Sequence, residues 1–288
     1  MGFRLSSVSD RLWAFSKRAV NRLYYANGGV GDELMLTAVA EAARRQGRPL
    51  PVLTNLPELW SGNHDPLCVQ TGVERWHYAR TRGWLDTEIV HVAYRNGTLR
   101  HIAQQMADHA GLTLAGDWRP VLHLATKPPR EPRTIALQNS CRGARYSAST
   151  KEWDPERWVE LTRRLQPEFD LVQLGTPADP ALPGVRDLRG RTSLRQAADV
   201  IAGAALFVGL ESGLMHVAAA VHTPAVILYG GRSRPIETGY AFNTNLTRSP
   251  ECAGCGLNEG CPHERMCMDI PVDEVEEAVH ARIARKST

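Results

Sequence analysis

Short apolar runs, closed by glycine or polar residues and followed by stretches of helical spacing, recur along this chain and predict its elements. In the first half, residues 23–26 read as a strand, 27–32 as a glycine turn and 33–45 as a helix. A strand at 51–54, a polar loop through Asn63 and Pro66, a weak strand at 88–93 and a helix at 99–110 follow. The second half alternates more regularly. Strands are predicted at 134–138, 171–174, 206–208 and 225–229, and helices at 155–165, 194–202, 214–221 and 272–285. Asp154 ahead of Pro155 has the form of a helix cap, and Ser193 with Gln196 has the spacing of a capping box.

Alternating strands and helices predict an α/β protein with parallel, doubly wound sheets. Residues 126–133, with three prolines and mixed charge, have linker composition, so the chain divides into an N-terminal unit (1–126) and a C-terminal unit (127–288). A length of 288 residues agrees with two units at roughly 100–200 residues each. Two such units would place ligands in the cleft at the carboxyl ends of their strands. No short-period repeat is present. No apolar run reaches the length of a membrane span, because the most apolar stretch is interrupted by Asp199, Glu211, His216 and His222.

The first twenty residues carry Arg4, Asp10, Arg11, Lys17 and Arg18 without an apolar block, unlike a secretory signal, which predicts a cytoplasmic protein. Leu5, Val8, Leu12 and Phe15 have helical spacing and fit either a packing helix or peripheral contact with a membrane face or a second subunit. Met1, Gly2 and Ser6 meet a loose myristoylation pattern that recurs by chance. With 43% apolar and 23% charged residues, disorder and collagen-like repeats are excluded. A net charge of +3 gives no reason to expect nucleic acid as partner. Only four of the 34 basic residues are Lys, and Arg forks suit phosphate and carboxylate groups.

Four segments could carry chemistry. Gly28-Gly29-Val30-Gly31-Asp32 joins a strand to a helix, and its glycines let a ligand approach the backbone. It lacks the third glycine of a dinucleotide fingerprint and the Lys-Ser/Thr of a P-loop, which counts against a nicotinamide-dependent oxidoreductase. Asp32 either caps the helix or aims a carboxylate into the cleft as a general base. Lys151 precedes a helix, where a lone Lys is ordinarily solvated. Glu211-Ser212-Gly213-Leu214-Met215-His216 ends a strand and opens a helix whose free N–H groups suit an anion; the plainer reading is a cap and a core histidine. Cys252, Cys255, Cys261 and Cys267 fall within sixteen residues and suit a tetrahedral zinc or iron knuckle, with His263 as a substitute ligand. Reduced structural thiols and disulfides are the alternatives, the latter disfavoured in a reducing compartment. Cys68 and Cys141 are isolated.

Together these segments resemble the heptosyltransferase family, the ADP-heptose-using glycosyltransferases of the GT-B fold. Residues 188–194 are similar to its Gly-x-Thr-Ser-Leu segment, and 211–220 to its Asp-Ser/Thr-Gly-x-x-His-x-x-Ala-Ala signature, with Glu211 in place of Asp. Thr223-Pro224 and the cysteine cluster ending in Cys267-Met268 continue the likeness, which covers roughly residues 20–280. The resemblance implies two Rossmann-like domains facing a cleft and an inverting transfer of a sugar from a nucleoside-diphosphate donor to a hydroxyl of a lipopolysaccharide core, another glycan or a protein. It implies Asp32 as base, and Gly29, Gly31, Lys151, Thr176, Glu211, Ser212, Gly213 and His216 on the donor side. No cofactor is needed for that chemistry. The cysteine cluster suggests the protein-modifying branch with its bound metal, and oligomers are compatible. The competing reading is a non-catalytic nucleotide-sugar-binding or assembly subunit organised by the knuckle.

Overall fold

The computed structural model describes residues 22–26, 29–48, 50–54, 56–62, 70–72, 88–91, 97–144 and 147–284. Two parallel sheets organise them. The first contains β1 (Arg22–Tyr25), β2 (Val52–Thr54), β3 (Gln70–Gly72) and β4 (Glu88–His91) in the order β3-β2-β1-β4. The second contains β5 (Glu131–Gln138), β6 (Asp170–Gln173), β7 (Arg186–Asp187), β8 (Ala204–Leu210), β9 (Ala225–Tyr229) and β10 (Thr244–Thr247) in the order β10-β9-β8-β5-β6-β7. All pairings are parallel, as alternating strands and helices require. In the second sheet the chain winds outward from β5 through β6 to β7, then crosses to β8 and winds the other way. That reversal opens a crevice beyond the carboxyl ends of β5 and β8.

Helices α1 (Val30–Arg45), α2 (Ile102–His109), α3 (Pro155–Leu165), α4 (Leu194–Gly203), α5 (Gly213–Ala220), α6 (Pro235–Thr238) and α7 (Val272–Ala284) cover the sheets. Side-chain alternation along the buried strands sorts the second sheet's two faces. Ile135, Leu137, Leu206, Val208, Val226 and Leu228 pack against Trp158 and Leu161 of α3 and Val275 and Val279 of α7. The opposite face, with Ala136, Phe207, Ile227 and Tyr229, joins α4 and α5 in a core that runs without a break into α1 and α2 of the first half. Helix α1 is thereby buried on most of its circumference, with Leu34, Leu36 and Val39 at 0% exposure. The two halves therefore share one hydrophobic core along α1 and α5.

The caps read from the sequence are formed. Asp154 Oδ1 accepts from the N–H groups of Glu156 at 2.7 Å and Arg157 at 3.3 Å. Ser193 and Gln196 exchange hydrogen bonds of 2.8 and 3.2 Å. Three element starts differ from expectation by three residues. Helix α1 begins three residues early at Val30, because Gly29 takes the N-cap position. Helix α2 begins late at Ile102: Leu99 is left-handed (φ 54°), and His101 Nδ1 caps the helix by accepting from Ala103 N–H at 3.1 Å. Strand β5 reaches back to Glu131, so 131–133 of the expected linker pairs in a sheet. Strands β3, β7 and β10 were unforeseen, each being only two to four residues long. The amphipathic pattern at the N-terminus, the Asn63–Pro66 loop, Cys68 and Gly28 lie outside the described residues.

Candidate active site at the seam of the two sheets

The segments singled out in the sequence come from distant parts of the chain, and the fold brings three of the four together. Gly29, Gly31 and Asp32 follow β1, whereas Glu211, Ser212 and Gly213 follow β8. Their helices start against one another. A Cβ on Gly31 would lie 2.7 Å from His216 Cδ2 and 3.0 Å from His216 Nε2, and a Cβ on Gly213 would lie 2.9 Å from Val30 Cβ. Such approaches exclude any side chain, so both glycines are there for closeness, not for backbone freedom.

Asp32 occupies the first turn of α1 next to the Gly31–His216 contact. Its Oδ2 accepts from Gly29 N–H at 2.9 Å, so the capping role is real. The other carboxylate oxygen has no partner among the described residues. Glu33 turns the opposite way and is buried, where Oε2 accepts from Thr54 Oγ1 at 2.9 Å and from Trp60 Nε1 at 3.2 Å. These bonds tie the start of α1 to the end of β2, an anchor that nothing in the sequence pattern announced.

Lys151 is not solvated. It ends a 3₁₀ turn (Ser149–Lys151) whose exit is fixed by Trp153, a fully buried ring that donates from Nε1 to Ile270 O at 2.9 Å and meets Trp158 edge to face at 5.1 Å. The ammonium pairs with the Glu211 carboxylate and donates to Glu211 O at 3.2 Å. Both side chains are nearly buried, at 11% and 9% exposure. Burial pushes the Glu211 carboxyl up, but the Lys151 ammonium overrides it and holds the group below the usual carboxylate range. Glu211 is thus the group that holds Lys151 at the start of α5.

Ser212 is the N-cap of α5, yet its side chain does not cap; Oγ donates to Gln138 Oε1 at 2.5 Å across the crevice between β5 and β8. The first N–H groups of α5 are thus left for an anion. His216, one turn in, is 2% exposed, and its Nδ1 lies 2.6 Å from Tyr240 OH. Burial pushes its pKa down to about 3, with Glu211 opposing, so the ring is neutral. Thr176, on the loop after β6, donates to Asp179 Oδ2 from its backbone at 2.6 Å and its hydroxyl at 3.2 Å, and sits against Gly143. Gln138, Tyr240 and Glu33 are the members that sequence reading missed. They belong to no motif, and only strand order and packing reveal them.

The cysteine segment behaves otherwise. Among the described residues no three His, Cys, Asp or Glu side chains gather closely enough to hold a metal ion, and Cys252, Cys255, Cys261 and Cys267 are all free thiols. The expected zinc or iron knuckle, His263 included, does not fit this arrangement. Backbone bonds organise the loop instead: Gly254 and Cys255 N–H donate to Gly231 O at 2.6 and 3.0 Å, and Gly256 N–H to Arg232 O at 3.1 Å. The loop's carbonyls in turn hold the turn that carries Lys151, with Thr150 Oγ1 donating to Leu257 O at 2.6 Å. Cys267 is buried and its thiol is pushed up, chiefly by burial. Cys141 is buried too and raised to about 12 by burial, which makes it inert at neutral pH.

Residues 131–266 match the family model of glycosyltransferase family 9 (heptosyltransferase). Lipopolysaccharide heptosyltransferase 2 of Escherichia coli (strain K12) is 35% identical over 107 residues, which are 32% of this chain and 30% of that protein. Lipopolysaccharide heptosyltransferase 1 of the same organism is 24% identical over 188 residues, covering 61% of this chain and 58% of the relative. The chain thus matches about a third of the length of the first relative and under two thirds of the second. Two solved structures share the fold. The iron-containing dodecameric glycosyltransferase TibC from enterotoxigenic E. coli superposes with a TM-score of 0.70 at 15% identity, over 92% of this chain and 78% of that one. E. coli ADP-heptose lipopolysaccharide heptosyltransferase II gives 0.66 at 18% identity, over 93% and 100%.

Proposed function

We propose, from the match of residues 131–266 to the model of glycosyltransferase family 9 (heptosyltransferase), that this chain is an inverting glycosyltransferase. It would move a sugar from a nucleoside-diphosphate donor to an acceptor hydroxyl. The observation that carries the reading is the seam itself. The glycine before Asp32, from the first half, packs on a neutral histidine near an uncapped helix start of the second, and a buried lysine pairs with the glutamate that precedes that start.

The donor's diphosphate binds at the start of α5, where free N–H groups and the helix dipole favour negative charge. Lys151 and His216 Nε2 flank that position, Gly29 borders it on the loop after β1, and Thr176, on the loop after β6, would meet the rest of the donor. Glu211 holds the Lys151 ammonium in place until the phosphates compete for it. An acceptor hydroxyl enters from the first half. Asp32 takes its proton as the oxygen attacks the anomeric carbon, the bond to the diphosphate breaks, and configuration inverts because attack comes from the opposite face. Charge gathers on the leaving diphosphate, where fixed donors stabilise it without a metal ion. The names of the relatives support the choice of substrates. The donor is ADP-heptose, and the acceptor is a lipopolysaccharide-core, other glycan or protein hydroxyl. No cofactor enters the reaction. The chain acts as two units, 1–126 and 127–288, at the cytoplasmic side of the membrane or free of it. Among the described residues, no helix is long and apolar enough to cross a bilayer.

Asp32→Asn tests the base. The amide oxygen can still accept from Gly29 N–H, so fold and ADP affinity should survive while turnover falls at least about 100-fold. Retained turnover would remove Asp32 from this role.

A further inference from the structure

We infer that Tyr240 locks His216 into the tautomer whose Nε2 carries the proton, so that His216 is a permanent hydrogen-bond donor to the donor substrate and never the base. The inference rests on the proposed reaction for its function, but its structural content stands without it.

The argument is one of hydrogen supply and demand. Tyr240 is 3% exposed, and burial raises its pKa well above the ordinary phenol value, so the hydroxyl always holds its proton. Among the described residues that hydroxyl has one partner, His216 Nδ1 at 2.6 Å. A neutral imidazole has one bare nitrogen and one N–H. If Nδ1 carried the hydrogen, the phenol could only accept, and its own hydrogen would be buried without an acceptor, a loss comparable to a broken hydrogen bond. If Nδ1 is bare, the phenol donates to it and both groups are satisfied. The second arrangement leaves the hydrogen on Nε2, the ring nitrogen on the Gly31 side of the seam.

Neighbouring groups hold the phenol in place. Phe242 stacks on the Tyr240 ring at 5.2 Å with 13° between planes, and Trp118 meets it edge on at 5.8 Å. His101 lies 5.6 Å away and, with its Nδ1 engaged in capping α2, offers Tyr240 no competing acceptor on that side. The charged group nearest in effect to His216 is Glu211, which is occupied by Lys151. Tyr240 is accordingly a positioning residue. It stands behind the His216 ring, against His101 and Trp118 of the first half, and acts only through the ring it orients.

The consequence divides labour in the site. A histidine locked as a donor cannot accept the acceptor's proton, which leaves that task to Asp32. It also supplies a neutral N–H to a phosphate oxygen, a contact unchanged by pH until the imidazole itself charges.

The test is long-range proton–nitrogen NMR on the full chain labelled at histidine nitrogen, with and without ADP. The expected result is a His216 signal of the Nε2-protonated form throughout the neutral range, with ADP shifting Nε2 and not Nδ1. A second measurement uses Tyr240→Phe, which removes only the hydroxyl. Its His216 signal should become a tautomer mixture, with kcat down about tenfold, KM nearly unchanged, and an altered pH profile. His216→Gln, which can place an N–H near the Nε2 position, should keep more turnover than His216→Leu. A wild-type signal of the Nδ1-protonated form overturns the inference whatever the turnover. So does a Tyr240→Phe variant with the wild-type tautomer and rate. Because the NMR readout needs no turnover, a protein with the predicted tautomer and no transferase activity would sink the proposed reaction and leave the lock standing.

Discussion

At the scale of single residues, the proposed site is built on a buried ion pair, Lys151–Glu211, that a bound diphosphate would interrupt. Removing one partner of such a pair leaves the other charge uncompensated, at about 3–5 kcal/mol. Lys151→Met and Glu211→Gln should each be destabilising, Lys151→Met more so because Met gives the stranded carboxylate no hydrogen bond, whereas the Gln amide oxygen can still accept from the Lys151 ammonium. The double variant Lys151→Met/Glu211→Leu should recover most of that stability yet bind ADP poorly. Urea denaturation and an ADP titration separate the two effects. Single variants within about 0.5 kcal/mol of wild type would show the pair to be dispensable. The same residues mark what sequence can reveal. Glu211, Ser212 and His216 were legible because they sit in one linear run. Tyr240 and Gln138 were not, because their roles arise from contacts with that run made across 24 and 74 residues of chain.

At the scale of elements, the starts of α1 and α5 define the site by their closeness. Gly31→Ala puts a methyl group inside van der Waals distance of the His216 ring, and relieving it requires the helices to part. Overpacking of this kind costs about 1–3 kcal/mol. Turnover should fall by more than that cost explains, since a shift of the ring displaces its Nε2 from the donor phosphate. Comparison of thermal stability with kcat/KM checks this, and an unaffected kcat/KM would mean that the seam is not where substrate sits. The Asp154 cap of α3 provides a control remote from chemistry: Asp154→Ala should cost about 1 kcal/mol and leave kcat/KM alone. Most long elements were visible in the sequence because their period is carried by many residues, as in α3, whose bounds were met to the residue. The short edge strands β3, β7 and β10 carry too few positions to show a period. The cysteine spacing pointed to a metal; among the described residues the thiols do not gather into a metal-binding group, and backbone bonds to Gly231 and Arg232 hold the loop.

At the scale of the whole molecule, one core runs through both halves, and its polar centre is a pair of histidines kept neutral. Burial lowers His216 to about 3 and His101 to about 4, from 6.5. In the unfolded chain both would protonate near 6.5, so as pH falls below that value the unfolded state binds protons that the folded state refuses. Stability therefore falls from pH 6.5 toward about 4, by up to about 1.4 kcal/mol per pH unit for each ring. The losses from Glu41 and Asp187, whose carboxyls are held at about 2 by Arg44 and Arg189, come only below their unfolded values of 4.5 and 3.8. Denaturation midpoints across this range should show the histidine slope first, and His216→Gln should remove about half of it. A flat profile above pH 4.5 would contradict the neutral pair.

The central claim is that the seam binds the diphosphate of an adenine nucleotide sugar. Thermal stabilisation of the purified chain by ADP, UDP, GDP, dTDP and NAD at matched concentrations tests it directly, because a ligand at about 100 times its Kd adds roughly 2.7 kcal/mol. The account predicts that ADP stabilises the chain well above the others and that Lys151→Met/Glu211→Leu abolishes the effect. Equal stabilisation by all of them, stabilisation by none, or an ADP effect untouched by that double variant would contradict it.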